Sequence, residues 1–471
     1  MKSKFEFGLS GTRKDFKELF DFPGGSSVRR SPSQVSLKSL LKSRNPFKSY
    51  KAMGLVLILL LLFGLLARAF NNFSLEGNFS RTDHFSRNVS FARRYLEYGI
   101  MFDAGSTGSR IHVYAFKKNP DGQLILEDEL FEQVQPGLSS YAKDPKQGAM
   151  SIYNLLQKGK DVIPPNKWHK TPVALKATAG LRLLPPKASK QLLKEVYKVF
   201  KDSPFYVTGE SSVSIMDGLD EGIFAWVTVN FLIGKFNHGV ESLVGALDLG
   251  GGSTQITFYP KSEDTIANSP KDFTQKAKVF NQEYKLYTHS YLGLGLMSAR
   301  ASITSQGGKT TDSNGNNIQQ SPCVSPSHTV NWVFGGKTIL VSGHSNYSFD
   351  ACLDHVKRII NPVIDRQDEM NEQTFYIFSY FYDRAVDLNL IDVRKGGTIT
   401  VGDFIEKTKE VFSSSRIRAN KLASLDATYI VALLKYGYGF HNDRKLILQK
   451  KINDVEVSWA LGATLDMFSK R

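Results

Sequence analysis

Cysteine is nearly absent from this 471-residue chain: there are two, Cys323 and Cys352. The nine histidines form no His/Cys cluster, so the donor set of a zinc centre is missing and a resident cation would have to be held by oxygen. The glycine pair in Leu292-Gly-Leu-Gly-Leu-Met297 lacks the third glycine of a dinucleotide loop, which excludes that reading. Long apolar runs are equally scarce. Ala52 to Ala67 is one, and none lies near the C-terminus, so a single membrane anchor is expected. The net charge of +15 is not spread evenly, because residues 1–51 hold twelve Lys/Arg against four Asp/Glu. More than half of the surplus thus belongs to a Ser-, Phe- and Gly-rich tail that reads as disordered.

At ~1.5 Å per residue the apolar run would span roughly 24 Å, with Lys48, Lys51 and Arg68 as snorkelling ends. Fifty residues of basic tail before it favour a signal anchor (52–70) over a cleaved signal peptide. The positive-inside rule then predicts a cytosolic tail and a lumenal or extracellular bulk, and removes nucleic acid from the expected partners. Sequons at Asn72, Asn78 and Asn88 suggest a glycosylated stem over 71–96, and a fourth sequon is Asn346. Cys323 and Cys352 fall on the same, oxidising side, where a bridge is expected, two buried thiols being the alternative.

Two stretches say nearly the same thing: Met101-Phe-Asp-Ala-Gly-Ser-Thr-Gly-Ser109 and Ala246-Leu-Asp-Leu-Gly-Gly-Gly-Ser-Thr254. Each is an apolar run ending in an aspartate and followed by small and hydroxylated residues. A strand that delivers a carboxylate to a tight, phosphate-facing turn has this pattern. One copy means little, since a strand-end Asp is usually just solvated. Two copies predict two related lobes that grip one phosphorylated ligand. Between them, helices are expected around Lys146–Lys158, Pro186–Phe200 and Glu221–Phe231, and a strand at Val173–Ala177. Ser305–Pro322 reads as a surface loop. Trp459 onward reads as a helix returning to the first lobe.

Five segments in order now carry a family resemblance: Asp103–Arg110, Ala177-Thr-Ala-Gly-Leu-Arg182, Asp220-Glu-Gly-Ile-Phe-Ala-Trp-Val-Thr-Val-Asn230, Asp248–Gln255 and Trp459-Ala-Leu-Gly-Ala463. From about residue 96 onward the chain resembles the apyrase, or nucleoside triphosphate diphosphohydrolase, family, and within it the singly anchored or soluble Golgi/ER nucleoside diphosphatases. The resemblance implies an α/β fold of two actin-like (RNase H-like) lobes with an inter-lobe site. Lobe I would cover 97–217 with 447–471 returning to it, and lobe II 218–446. It also implies hydrolysis of the terminal phosphate of GDP, UDP or IDP, and to a lesser extent of triphosphates. The setting would be a Golgi or ER type II membrane protein, with release by cleavage as a further option.

Phosphoanhydride hydrolysis needs charge neutralisation and an aligned, deprotonated water. Ser106, Thr107, Gly108, Ser109 and Thr178 are expected on the phosphate from one side, and Gly251, Gly252 and Ser253 from the other. Asp103 and Asp248 would hold Ca²⁺ or Mg²⁺ largely through water. By resemblance Glu221 is the base, with Ser253 and Gln255 orienting the water. Asp220 is a rival, but adjacent helical residues point apart. Arg182 reads equally well as structural, Trp226 and Trp459 as core. Tyr382, in the run Phe375–Arg384, which reads as an aromatic-rich strand and so otherwise as core, is the candidate for stacking on the base. The small lumenal members carry a second disulfide, and here Phe412 and Ala423-Ser424 stand where its cysteines would be.

Overall fold

The first sheet is built around β1 (Glu97–Ala104), whose run EYGIMFDA is buried along almost its whole length. A strand buried on both faces belongs at a sheet centre. There it pairs antiparallel with β2 (Ser109–Lys118) and parallel with β4 (Val173–Ala177). Antiparallel β3 (Leu124–Val134) and parallel β5 (Val213–Ile215) flank this core, in the order β3-β2-β1-β4-β5. β3 carries five carboxylates and amides in LILEDELFEQV, a polar edge that blunts strand-to-strand aggregation. Helix α1 (Pro145–Val162) opens with Pro145 behind an Asp144 cap and buries Ile152, Leu155 and Leu156 at helical spacing. After the single turn α2 (Ala179–Arg182), α3 (Pro186–Lys201) buries Leu192, Val196 and Phe200 at intervals of four.

These elements belong to the computed structural model, which describes residues 95–120, 122–311, 317–334, 337–360, 364–414 and 420–470. The basic tail, the apolar run and the sequons at Asn72, Asn78 and Asn88 lie outside the described residues. Among the described residues, no helix is long and apolar enough to cross a membrane.

The second sheet repeats the first. β6 (Gly245–Leu249) pairs antiparallel with β7 (Ser253–Phe258), and β7 with β9 (Gln282–Leu292). On the other side β6 pairs parallel with β14 (Phe375–Ser379), and β14 with β16 (Lys445–Leu448). The order β9-β7-β6-β14-β16 therefore reproduces β3-β2-β1-β4-β5, with β8 (Thr274–Val279) and β15 (Gly397–Thr400) added at the edges. Two copies of one antiparallel-then-parallel sheet, each flanked by helices, make the fold α/β with two actin-like (RNase H-like) lobes. The second sheet keeps its chain through Leu448, two residues beyond the boundary read from sequence.

Helix α4 (Gly218–Leu232) lies against β6, β7 and β9 and is buried on nearly all sides, as its uniformly apolar sequence requires. The C-terminal helix (Trp459–Ser469) lies on β1 and β2 and crosses α4 closely. Gly462 makes that crossing possible: its N–H donates to Thr228 Oγ1 at 2.9 Å, and a Cβ there would run into the Phe224 carbonyl.

Two expectations need correction. Ser305–Pro322 is not simply a loop. It contains β10 (Lys309–Thr311) and β11 (Asn317–Ser321), which join β12 (Thr329–Phe334) and β13 (Lys337–Gly343) in a four-stranded sheet. β10 is exposed at all three positions, so no apolar alternation marked it. The aromatic run Phe375–Arg384 is not one strand either. It turns at Ser379 (φ 57°) into helix α5 (Tyr380–Asp387), which carries Tyr382.

Candidate functional site

The two repeated segments fold into the same hairpin turn. Gly105 N–H donates to the Gly108 carbonyl at 3.0 Å, and Gly250 N–H to the Ser253 carbonyl at 3.0 Å. The registers also match: Asp103 faces Arg110 across β1/β2, and Asp248 faces Gln255 across β6/β7. The turns then meet. A Cβ at Gly251 would collide with Ser106 Oγ, one at Gly180 would come 2.7 Å from Ser106 Cα, and one at Gly252 would come 2.7 Å from Ala179 Cβ. The glycines here serve close approach between loops.

Asp103 and Asp248 line one cavity of about 310 Å³, together with Ser106, Thr107, Thr178, Glu221 and Gly250–Ser253. Each aspartate is 7 % exposed, and the Oδ1 atom of each is buried without a hydrogen-bond partner. Asp103 Oδ2 accepts from Arg110 Nη1 at 2.8 Å. Burial pushes Asp248 up to about 6, with Ser379 and Arg110 opposing and Asp103 adding to the rise. Two orphaned carboxylate oxygens sharing one cavity suit a hard divalent cation. Among the described residues no group of three His, Cys, Asp or Glu stands ready to chelate an ion directly.

Glu221, in the first turn of α4, is 6 % exposed and faces this cavity. Its Oε2 is paired with Arg182 Nη2. Burial pushes it up to about 8; Arg182 pulls it down, while Asp248 and Asp103 push it further up. Asp220 is exposed and does not line the cavity; its charged neighbours are Asp217, Asp466, Lys176 and Lys470. Gln255 Nε2 donates to Ser253 Oγ at 2.7 Å and to Ser290 Oγ at 2.9 Å, leaving Oε1 buried and unpartnered.

Other residues singled out from sequence fall elsewhere. Ser109 begins β2 fully buried, with Oγ accepting from Leu138 N–H at 3.1 Å, so its hydroxyl is used in the core. Gly108 contributes its carbonyl to the turn and does not line the cavity. Tyr382 is on the cavity wall but only 3 % exposed, its hydroxyl donating to the carbonyls of Val393 (3.0 Å) and Asp392 (3.3 Å). Its neighbour Tyr380, half-buried on the same wall, was not singled out. Trp226 is wholly buried, whereas Trp459 touches the cavity. Cys323 and Cys352 are joined by a disulfide. Asn346 is exposed in a turn before the helix Phe349–Ile360. Phe412 packs on Tyr347 and Phe349, and Ser424 Oγ donates to the Cys323 carbonyl at 2.7 Å.

The model of the GDA1/CD39 (nucleoside phosphatase) family matches residues 91–471, four fifths of the sequence and all of the site. The chain belongs to that family. It is 48 % identical over 379 residues to ectonucleoside triphosphate diphosphohydrolase 5 of Gallus gallus, covering 79 % of this chain and 87 % of that one. Over 375 residues it is 48 % identical to the Homo sapiens nucleoside diphosphate phosphatase ENTPD5, with the same coverage. Ectonucleoside triphosphate diphosphohydrolase 6 of Mus musculus is 46 % identical over 370 residues, covering 78 % of this chain and 80 % of that one. Among solved structures, an Aquifex aeolicus member of the Ppx/GppA family aligns with TM-score 0.46 and 14 % identity over 80 % of this chain and 98 % of that one. Two arginines are held against cavity carboxylates: Arg110, which the sequence reading did not single out, and Arg182, which it left open between site and structure.

Proposed function

We propose that this family member hydrolyses the terminal phosphoanhydride of nucleoside diphosphates, and less readily of triphosphates, using a water activated by Glu221. The single observation that carries this reading is the convergence of two matched Asp-turn hairpins and one buried glutamate on a common cavity. The names of the relatives, diphosphate phosphatase and triphosphate diphosphohydrolase, agree with it.

The substrate's phosphates would be received by Ser106 and Thr107 from one turn and Gly251, Gly252 and Ser253 from the other, with Thr178 beside them. Backbone N–H groups and hydroxyls at such turns favour anionic oxygens. Asp103 and Asp248 are the residues that would hold Ca²⁺ or Mg²⁺ through its waters, and the ion would supply charge neutralisation of the phosphate oxygens. Gln255 Oε1 and Ser253 Oγ would fix the attacking water, one accepting and one donating. Glu221 takes the water proton as the oxygen attacks the terminal phosphorus. The bond to the bridging oxygen breaks, and nucleoside monophosphate and inorganic phosphate leave. Arg182 pulls the Glu221 carboxyl toward its charged form, against burial, and orients it for the water. Tyr382 and Tyr380 would offer the aromatic wall for the base.

The setting proposed with it rests on the apolar run and the family resemblance: a type II Golgi or ER membrane protein with an N-terminal anchor, its catalytic part lumenal, releasable by cleavage. Asn72, Asn78, Asn88 and Asn346 would carry glycans. Glycosyl transfer leaves GDP and UDP in that compartment, and their hydrolysis removes the inhibiting product. The test is phosphate release from a panel of nucleoside di- and triphosphates, with Mg²⁺, Ca²⁺ or chelator, for the wild type and Glu221→Gln. Hydrolysis that survives the substitution unchanged would exclude Glu221 as the base.

A further inference from the structure

The cavity has a second polar wall that the phosphate chemistry above leaves unused. Arg110 and His112 are two apart on β2 and so share a sheet face, about 7 Å from one another along the strand. His112 is wholly buried, and its Nδ1 lies 2.7 Å from Glu129 Oε1 on the neighbouring strand β3. The other oxygen of Glu129 accepts from the Glu456 backbone N–H at 2.7 Å. One carboxylate thus fixes both the imidazole ring and the short strand β18 (Val455–Glu456). With Nδ1–H donated to Glu129, Nε2 is left as the free imidazole nitrogen. That Nε2 is buried without a partner, as is Oε2 of Glu456, and both residues line the cavity.

We propose that His112 Nε2 and the Glu456 carboxylate receive the 2′- and 3′-hydroxyls of the substrate's ribose. The assignment rests on the nucleotide-hydrolase reading and adds a specificity element to it. A buried orphan acceptor costs free energy unless a ligand supplies a donor, and two such acceptors on one cavity suit the two hydroxyls of a vicinal diol. Position favours the sugar over the base. His112 is one strand repeat from Arg110, which holds the phosphate-end Asp103, and the ribose is the first group beyond the diphosphate. The base then extends toward Tyr380 and Tyr382 on a different element. A metal centre is not the alternative, since no ion-holding group of three His, Cys, Asp or Glu is present among the described residues. Burial pushes the Glu456 carboxyl above its ordinary value, with Lys450 opposing, so added hydroxyl donors would favour its charged form. The diol is common to every ribonucleotide, so this wall would select for ribose while leaving the base free to vary.

The test compares kcat/KM for uridine diphosphate and its 2′,3′-dideoxy analogue in the full-length protein, with thermal melts to verify folding. The wild type should prefer the ribonucleotide by about tenfold or more, because unpaired polar site atoms reject the analogue. Glu456→Gln and His112→Asn should collapse that ratio chiefly through KM for the ribonucleotide. Asn retains a donor at the Nδ1 position but lacks Nε2, whereas His112→Gln, which restores a polar atom farther out, should recover part of the ratio. Folded variants that keep the wild-type ratio, or lose equally on both substrates, would overturn the proposal. A wild type that cleaves both substrates equally would overturn the ribose assignment and leave the hydrolase reading standing. One that cleaves neither would overturn the hydrolase reading itself.

Discussion

Arg182 is paired with Glu221, and the pair links the short turn α2 of the first lobe to the first turn of α4. The side chains are 14 % and 8 % exposed, so the charge of each depends on the other. Without Arg182, burial together with Asp248 and Asp103 would drive the Glu221 carboxyl still higher.

Arg182→Gln should therefore move the acid limb of the kcat/KM profile to higher pH and lower activity at neutral pH. Removing one partner of a buried pair costs about 3–5 kcal/mol when the other stays charged. Arg182→Gln combined with Glu221→Gln should recover much of that stability and none of the activity. Thermal melts of the two single variants and the double variant check this.

Stability should also depend on pH in a direction opposite to that set by ordinary surface carboxylates. Glu221 rises from 4.5 to about 8 and Asp248 from 3.8 to about 6 in the folded protein. Between the unfolded and folded values the native state binds more protons, so stability is greatest at the acidic end and falls as pH rises toward 8. In chelator and without nucleotide, the melting temperature should drop by several degrees between pH 5.5 and 8. Glu221→Gln should flatten most of that slope, and calorimetry across the range would show it.

Gly251→Ala tests the contact between the two turns. Its Cβ would collide with Ser106 Oγ, displacing that phosphate-facing hydroxyl. A displacement near 1 Å at a reacting centre costs roughly 10²-fold in rate, so kcat should fall by that order with little change in melting temperature. Steady-state kinetics on a nucleoside diphosphate measures it.

Opening the Cys323–Cys352 bridge should weaken the fold and spare the chemistry. The closed loop spans 29 positions, for which loop-closure entropy gives about 3–4 kcal/mol. Cys323→Ser with Cys352→Ser should lower the melting temperature and leave kcat within a few-fold, because neither residue lines the cavity.

The sequence carried the hairpins because their signal is local: an apolar run, one aspartate, then glycines and hydroxyls. Finding that signal twice predicted two related lobes, whereas the matching strand order came from the structure. Ser109 was misjudged because a β-strand alternates its faces, and the first residue of β2 turns its hydroxyl inward to Leu138. Arg182 was equivocal because its partner lies 39 residues away, and only the packing of α2 on α4 makes them neighbours. His112 and Glu456 left no sequence trace, since they lie far apart in the chain and are brought together by Glu129, which bonds both. Tyr382 was expected in a strand because aromatic density outweighs periodicity over so short a run. The turn at Ser379 decides otherwise.

The central claim is that Asp103 and Asp248, one from each lobe, act together on one cation beneath one diphosphate. Calorimetric titration of a non-hydrolysable nucleoside diphosphate, with and without Mg²⁺ or Ca²⁺, tests it in the wild type, Asp103→Asn and Asp248→Asn. The account predicts that cation strengthens nucleotide binding in the wild type and that either substitution alone abolishes that gain. Undiminished cation-dependent binding in either variant would contradict it.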